Sequence, residues 1–149
     1  MTIRLRVIDD GSFHRSKSGT VWGRIYFESG DTQFPGTGWS DLAVAFTSAW
    51  LDALIEIASK ARQAQQVHFM DGPLRVDVSV EMNGLIKLEF VGKDVMTKTI
   101  SAAAVDLFRD AISCAEELIA ICKRHSWCED TDYLQLVANV ERAVQFLPV

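Results

Sequence analysis

The apolar and polar positions of this chain change period several times, and each change marks an element. Residues 3–8 alternate, with Ile3, Leu5 and Val7 on one side and Arg4 and Arg6 on the other, the pattern of a strand buried on one face. After a polar stretch from Asp9 to Gly19, residues 20–28 alternate again, Val21, Ile25 and Phe27 facing one way and Trp22, Arg24 and Tyr26 the other. Ser29-Gly30-Asp31 reads as a turn into a short returning strand, Thr32-Gln33-Phe34, and Pro35 to Trp39 as a loop. The period then becomes helical. Leu42, Phe46, Ala49, Trp50, Ala53, Leu54, Ile57 and Ala61 recur at helical spacing opposite Ser48, Asp52, Glu56, Ser59 and Gln63. This predicts the clearest amphipathic helix of the chain, with Ser40 as its N-cap and a Glu56–Lys60 pair on its surface.

Strands return at Val67–Met70, which Asp71-Gly72-Pro73 ends as a turn. Leu74, Val76, Val78 and Val80 alternate with Arg75, Asp77, Ser79 and Glu81, and Ile86, Leu88 and Phe90 alternate with Lys87 and Glu89. A two-residue Asn83-Gly84 turn would set Val80 against Lys87. A loop of Met82-Asn83-Gly84 instead pairs Val80 with Ile86 and Val78 with Leu88, and puts Gly84 where a left-handed residue is wanted. Gly92-Lys93-Asp94 then turns the chain into a last strand near 95–100. Ser101 is the expected cap of a helix striped by Val105, Phe108, Ala111, Ile112, Ala115, Leu118, Ile119 and Cys122, closed by Lys123, Arg124 and His125 where positive charge suits the dipole. Asp130 or Thr131 caps a third helix carrying Tyr133, Leu136, Val137, Val140, Ala143 and Val144. Consecutive strands are joined by tight turns and not by crossover helices. The expected fold is therefore α+β, a mainly antiparallel sheet of about six strands with three helices packed on one face, in a single domain over 1–149.

Composition narrows the setting. A chain of 149 residues buries roughly 70% of its unfolded surface without help from disulfides or metals. Its 48% apolar and 23% charged residues are those of a globular protein, which argues against disorder. No apolar run approaches the ~18 residues of a membrane span, and the alternating N-terminus is unlike a signal peptide. Three cysteines, two of them on one predicted helix, make a poor disulfide framework. These features predict a soluble, cytoplasmic protein. A net charge of −5 and a pI near 5.1 argue against nucleic-acid binding, and favour a basic partner if the partner is a protein. The segment 9–19, with a local basic cluster of His14, Arg15 and Lys17 and little apolar content, is the expected mobile loop.

Candidate chemistry is thin. Cys122, His125 and Cys128 are spaced like metal ligands, yet zinc sites usually need four, and Cys122 belongs to an apolar stripe. His14, His68 and His125 fall in a loop, a strand and a helix end, none inside a nucleophile motif. Gly36 and Gly38 precede a helix but lack the Walker lysine and the dinucleotide spacing, and Asp41 would oppose an anion there. That loop reads as packing, with Phe34 and Trp39 pinning the helix onto the sheet. No catalytic residue, cofactor or metal is therefore expected. Carboxylates gather at Asp9-Asp10, at Glu116-Glu117 and at Glu129, Asp130 and Asp132. Glu116, Glu117, Glu129, Asp130 and Asp132 are the candidate partner-binding residues, with helix capping as the competing role for Asp130.

One set of segments is familiar: Phe34-Pro35…Gly38-Trp39-Ser40-Asp41 entering the helix that holds Trp50, then Phe69 to Pro73, then Cys122…Trp127…Asp130…Leu134. Over about residues 20–140 the chain resembles small uncharacterised bacterial α+β proteins, some of which are immunity proteins that neutralise toxins of interbacterial competition. The likeness rests on loop and packing residues, so no site residue carries over with it. It implies a non-catalytic protein that binds a toxin, and an acidic inhibitor would be steered quickly onto a basic toxin. The alternatives are an adaptor or self-assembling domain, and an enzyme built around His14 or His125 with distant carboxylates.

Overall fold

The computed structural model describes residues 2–70, 73–92 and 98–148. These form nine strands and three α-helices, and every strand pair is antiparallel. The α+β class and the antiparallel pairing agree with the sequence pattern, but the strands are divided between two sheets. In the first, β3 (Val21–Ser29) pairs with each of β1 (Arg4–Ile8), β2 (His14–Arg15), β4 (Thr32–Phe34) and β5 (Ser40–Asp41). In the second, β6 (Ala64–His68), β7 (Arg75–Val80), β8 (Ile86–Val91) and β9 (Lys98–Ala102) lie in sequence order. The two-residue strands β2 and β5 are too short to leave any period in the sequence. Of the expected turns, part of Asp71-Gly72-Pro73 and Lys93-Asp94 lie outside the described residues, as do positions 95–97 of the last strand.

The β7–β8 hairpin keeps the register that hydrophobic matching requires: Val80 faces Ile86 and Val78 faces Leu88. Glu81 and Leu85 close the loop through a 2.8 Å backbone bond, and Gly84 takes φ +84°. Between the sheets, aromatic side chains form one cluster. Phe27 meets Phe46, Trp50 and Phe69 edge-on at 5.9, 5.1 and 6.3 Å between centroids, and Phe34 stacks on Phe90 at 5.0 Å.

Helix α1 (Ala43–Ala58) is the centre of the molecule and not an amphipathic surface helix. It packs on β3 and β6 and also on α2 (Ala104–Arg124) and α3 (Thr131–Ala143), so Thr47 and Ser48 are buried along with its apolar residues. The three helices therefore do not share one sheet face: α2 lies against β1, while α3 rests on α1 and α2. Asn139 of α3 locks this layer. Its Nδ2 donates to the Ser48 carbonyl at 3.0 Å and to Ser48 Oγ at 2.9 Å, and its Oδ1 accepts from Gln135 and Arg142. A buried amide with all these partners satisfied specifies one packing of α3 on α1.

Three expected helix-end roles are replaced. Ser40 belongs to β5, opposite Arg24, and Leu42 stands at the N-cap of α1. Ser101 belongs to β9, opposite Lys87, where its hydroxyl donates to Glu81, and Ala103 stands at the N-cap of α2. Glu56 meets Gln65 and Arg62, because Lys60 has already left the helix with φ 64°. Helix α2 ends in a Schellman motif: Trp127 N–H donates to Cys122 O at 2.8 Å and Ser126 N–H to Lys123 O at 3.2 Å. Ser126 carries the left-handed φ of 61° that this motif needs. Ser126→Gly is therefore expected to stabilise the fold by about 1 kcal/mol, raising Tm by roughly 2–4 °C. An unchanged melting curve would contradict that reading.

The segment 9–19 is well tied down. Phe13 is buried over Gly23, and three ion pairs fasten its flanks: Asp9 to Arg124, Asp10 to Arg24 at 3.0 Å, and Arg15 to Asp130 at 2.7 Å. One aromatic side chain in a notch thus supplies the apolar burial that the composition of the loop did not suggest. No described helix is long and apolar enough to cross a membrane.

Candidate functional site

On α2, Asp110 lies three residues after Leu107 and four before Cys114, both buried, so helical geometry carries its carboxylate inward. Asp110 Oδ2 accepts the backbone N–H of Leu5 at 2.7 Å. That donor sits on the edge of β1 away from β3, so a helix side chain satisfies a sheet edge. Burial pushes the Asp110 carboxyl up to about 6, against the lowering effects of the Leu5 hydrogen bond and nearby Arg4, while Glu117 raises it further. Asp110 lines a cleft of about 630 Å³ bounded by the start of β1, the end of β9 and the first turns of α2.

The raised carboxyl has a consequence for stability. The folded chain holds this proton more tightly than the unfolded one, so stability is greatest below about pH 4 for this group and falls as pH rises toward 6. Asp110→Asn keeps an acceptor for Leu5 N–H and removes the buried charge. It is expected to stabilise the protein at pH 7 by about 1–2 kcal/mol, after allowing for partial solvation, and to leave it near wild type at pH 4. Denaturant midpoints of both proteins across pH 4–8 check this. Parallel pH curves would show that Asp110 is not the group responsible.

The five sequence-predicted residues fall into two groups. Glu116 and Glu117 are exposed on α2 and border a shallow hollow that shares Arg109 and Ser113 with the Asp110 cleft and reaches Leu147. Glu129, Asp130 and Asp132 border a different hollow, opposite Ser18, Gly19 and Thr20. Asp130 occupies the N-cap position of α3, but its side chain makes no capping bond. Both its oxygens accept from Arg15 instead, at 2.8 and 2.7 Å, which holds its carboxyl below the ordinary value. Asp130 thus joins the 9–19 segment to α3.

The histidines stay apart in separate elements. His14 lies on β2, parallel to the ring of Trp22, and its Nδ1 is 3.1 Å from the Ser12 carbonyl. His68 ends β6, and His125 stacks on Trp127 at 4.3 Å between centroids. Burial raises the Cys122 thiol to about 11 and the Cys114 thiol well above its ordinary range, so neither supplies a thiolate at neutral pH. Among the described residues no three His, Cys, Asp or Glu side chains stand together as metal ligands. The glycine-containing loop was expected to pin the helix onto the sheet, but its contacts tie β3 to the second sheet: the Trp39 carbonyl accepts from Ile25, and Phe34 meets Phe69 and Phe90.

Asp110 was missed because its partners, Leu5 and Arg4, are far away in sequence. The readable signal was its place on the buried side of the α2 stripe. No family model, curated protein or solved structure matches this chain.

Proposed function

We propose that this chain works by binding a basic protein surface, as an immunity protein that neutralises a cognate toxin. The observation that supports this reading is the distribution of unpaired charge. Elsewhere most exposed carboxylates face a cation, as Glu28 does Arg6, Asp52 Arg142, Asp77 Arg75 and Glu89 Lys87. Glu116, Glu117, Glu129, Asp132 and Glu141, on or beside the last two helices, form no ion pair among the described residues; Asp31 and Glu81 are the exceptions outside them. Residues 104–148 contain eight carboxylates and four Lys or Arg, a net −4 within a chain total of −5. A surplus of unpaired negative charge carried by the last two helices speeds encounter with an oppositely charged protein and suits recognition more than chemistry.

Co-expression with the product of a neighbouring gene tests the proposal. The expected result is a one-to-one complex whose association slows with added salt. Neutralising Glu116, Glu117, Glu129 and Asp132 together should slow association by about tenfold. Recovery of the chain by itself would overturn this reading, and recovery only as a homo-oligomer would replace it with that of a self-assembling domain.

A further inference from the structure

We infer that the cleft between β1 and α2 binds a small zwitterion of the amino-acid class, its ammonium group on Asp110 and its carboxylate on Arg4. Both residues line this cleft, and they carry opposite charges. No ion pair joins them, and neither forms one with any other described residue. Asp110 uses Oδ2 for Leu5 N–H, while Oδ1 has no hydrogen-bond partner among the described residues. Oδ1 is not among the buried oxygens lacking a partner, so it is open to the cleft and can take a donor from a ligand. A ligand with an ammonium at one end and a carboxylate at the other would complete both residues at once.

The surroundings fit that occupant. The other charges facing Asp110 or the cleft among the described residues are Asp106, Arg109 and Glu117; Arg109 is turned to Asp106 at 3.9 Å, which leaves Arg4 as the free cation among those residues. Ser113 adds a neutral polar group to the wall, while the Ser101 hydroxyl is already given to Glu81. The volume of about 630 Å³ lies in the range of small-ligand sites, and holds an amino acid with its side chain or a dipeptide. A purely cationic ligand would leave Arg4 unanswered, and an anion would be repelled by Asp110. This inference is independent of the toxin-binding reading.

The test is an NMR titration of the full chain with the standard amino acids and alanyl-alanine at millimolar concentration. Leucine amide and N-acetyl-leucine serve as probes lacking one charge each. The Leu5 amide resonance reports directly, because this N–H donates to Asp110 Oδ2. At least one zwitterion should shift it in a saturable way and raise Tm. Its derivatives lacking either charge should bind about tenfold more weakly, as expected for the loss of one charge-assisted contact. Affinity should fall as pH is lowered through 6, as Asp110 takes up a proton. Asp110→Asn should abolish binding. Arg4→Gln, a change at an exposed side chain that leaves the fold intact, should weaken the zwitterion but not the amide. A Leu5 resonance unmoved by every probe would overturn the proposal. So would an amide that binds as tightly as its parent acid, or a zwitterion affinity unchanged by Arg4→Gln.

Discussion

Replacing Asp41 by Ala is expected to lower the unfolding free energy by about 3–5 kcal/mol, a fall in Tm of roughly 10 °C or more. Asp41 is 2% exposed and serves three donors, two from its own stretch and one from a distant one: Trp39 Nε1 at 2.9 Å, Leu42 N–H at 2.7 Å and Met70 N–H at 3.1 and 3.2 Å to its two oxygens. It therefore connects the loop before α1, the first residue at the helix start and the chain just beyond β6. Alanine would take this acceptor from all three partly buried N–H groups, and each hydrogen bond to a charged group contributes about 1.5–3 kcal/mol. Asp41→Asn separates the contributions. Its oxygen can still receive Leu42 and Met70, but its amide would face the Trp39 indole donor, so a loss of about 1–2 kcal/mol is expected. Adding Trp39→Phe removes that opposing donor, so the double variant should lose less than the sum of the two single changes. Additive losses in chemical denaturation would show that the indole–carboxylate bond contributes nothing specific.

The second large effect is at Gly23. A Cβ there would stand 2.1–2.4 Å from ring carbons of Phe13, far inside contact distance. Gly23→Ala must either shift the strand or expel the ring. Expulsion is bounded by the loss of a buried phenylalanine, so the expected cost is about 3 kcal/mol, close to that of Phe13→Ala. The distinguishing result comes from the double variant. Once Phe13 is Ala, the methyl group at position 23 has room, and Gly23→Ala should become nearly neutral. A cost that persists in the Phe13→Ala background would mean that strand β3 needs glycine for its own backbone and not for the ring.

These two sites also show where the sequence stopped being readable. Alternation identified β1, β3, β7 and β8, a turn signal identified β4, and hydrophobic matching placed Val80 opposite Ile86, because sheet register is a local consequence of a period of two. Ser40 and Ser101 misled because capping preference is local, whereas their backbones are claimed by Arg24 and Lys87 on neighbouring strands. Ser48 helped make α1 look half-exposed, yet the group that satisfies it lies on Asn139, 91 residues away. Phe13 in a polar loop and a glycine in mid-strand were each visible. Only the fold shows that one fills the space left by the other. The acidic residues at 116–117 and 129–132 were legible as charge. That Asp130 is occupied by Arg15, and that a desolvated carboxylate lies at Asp110, depended on contacts made at long range.

The fastening of the N-terminal segment to the C-terminal helices bears on synthesis. Leu5 meets Asp110 and Arg15 meets Asp130 across 105 and 115 residues. At translation rates of about 5–20 residues per second, a nascent chain waits roughly 5–20 s between the emergence of β1 and that of the helix covering its edge. Through that interval the first sheet has an uncovered strand edge on the ribosome. The burden on cellular chaperones should therefore fall early in synthesis, and fragments that stop short of α2 should aggregate more readily than fragments that include it.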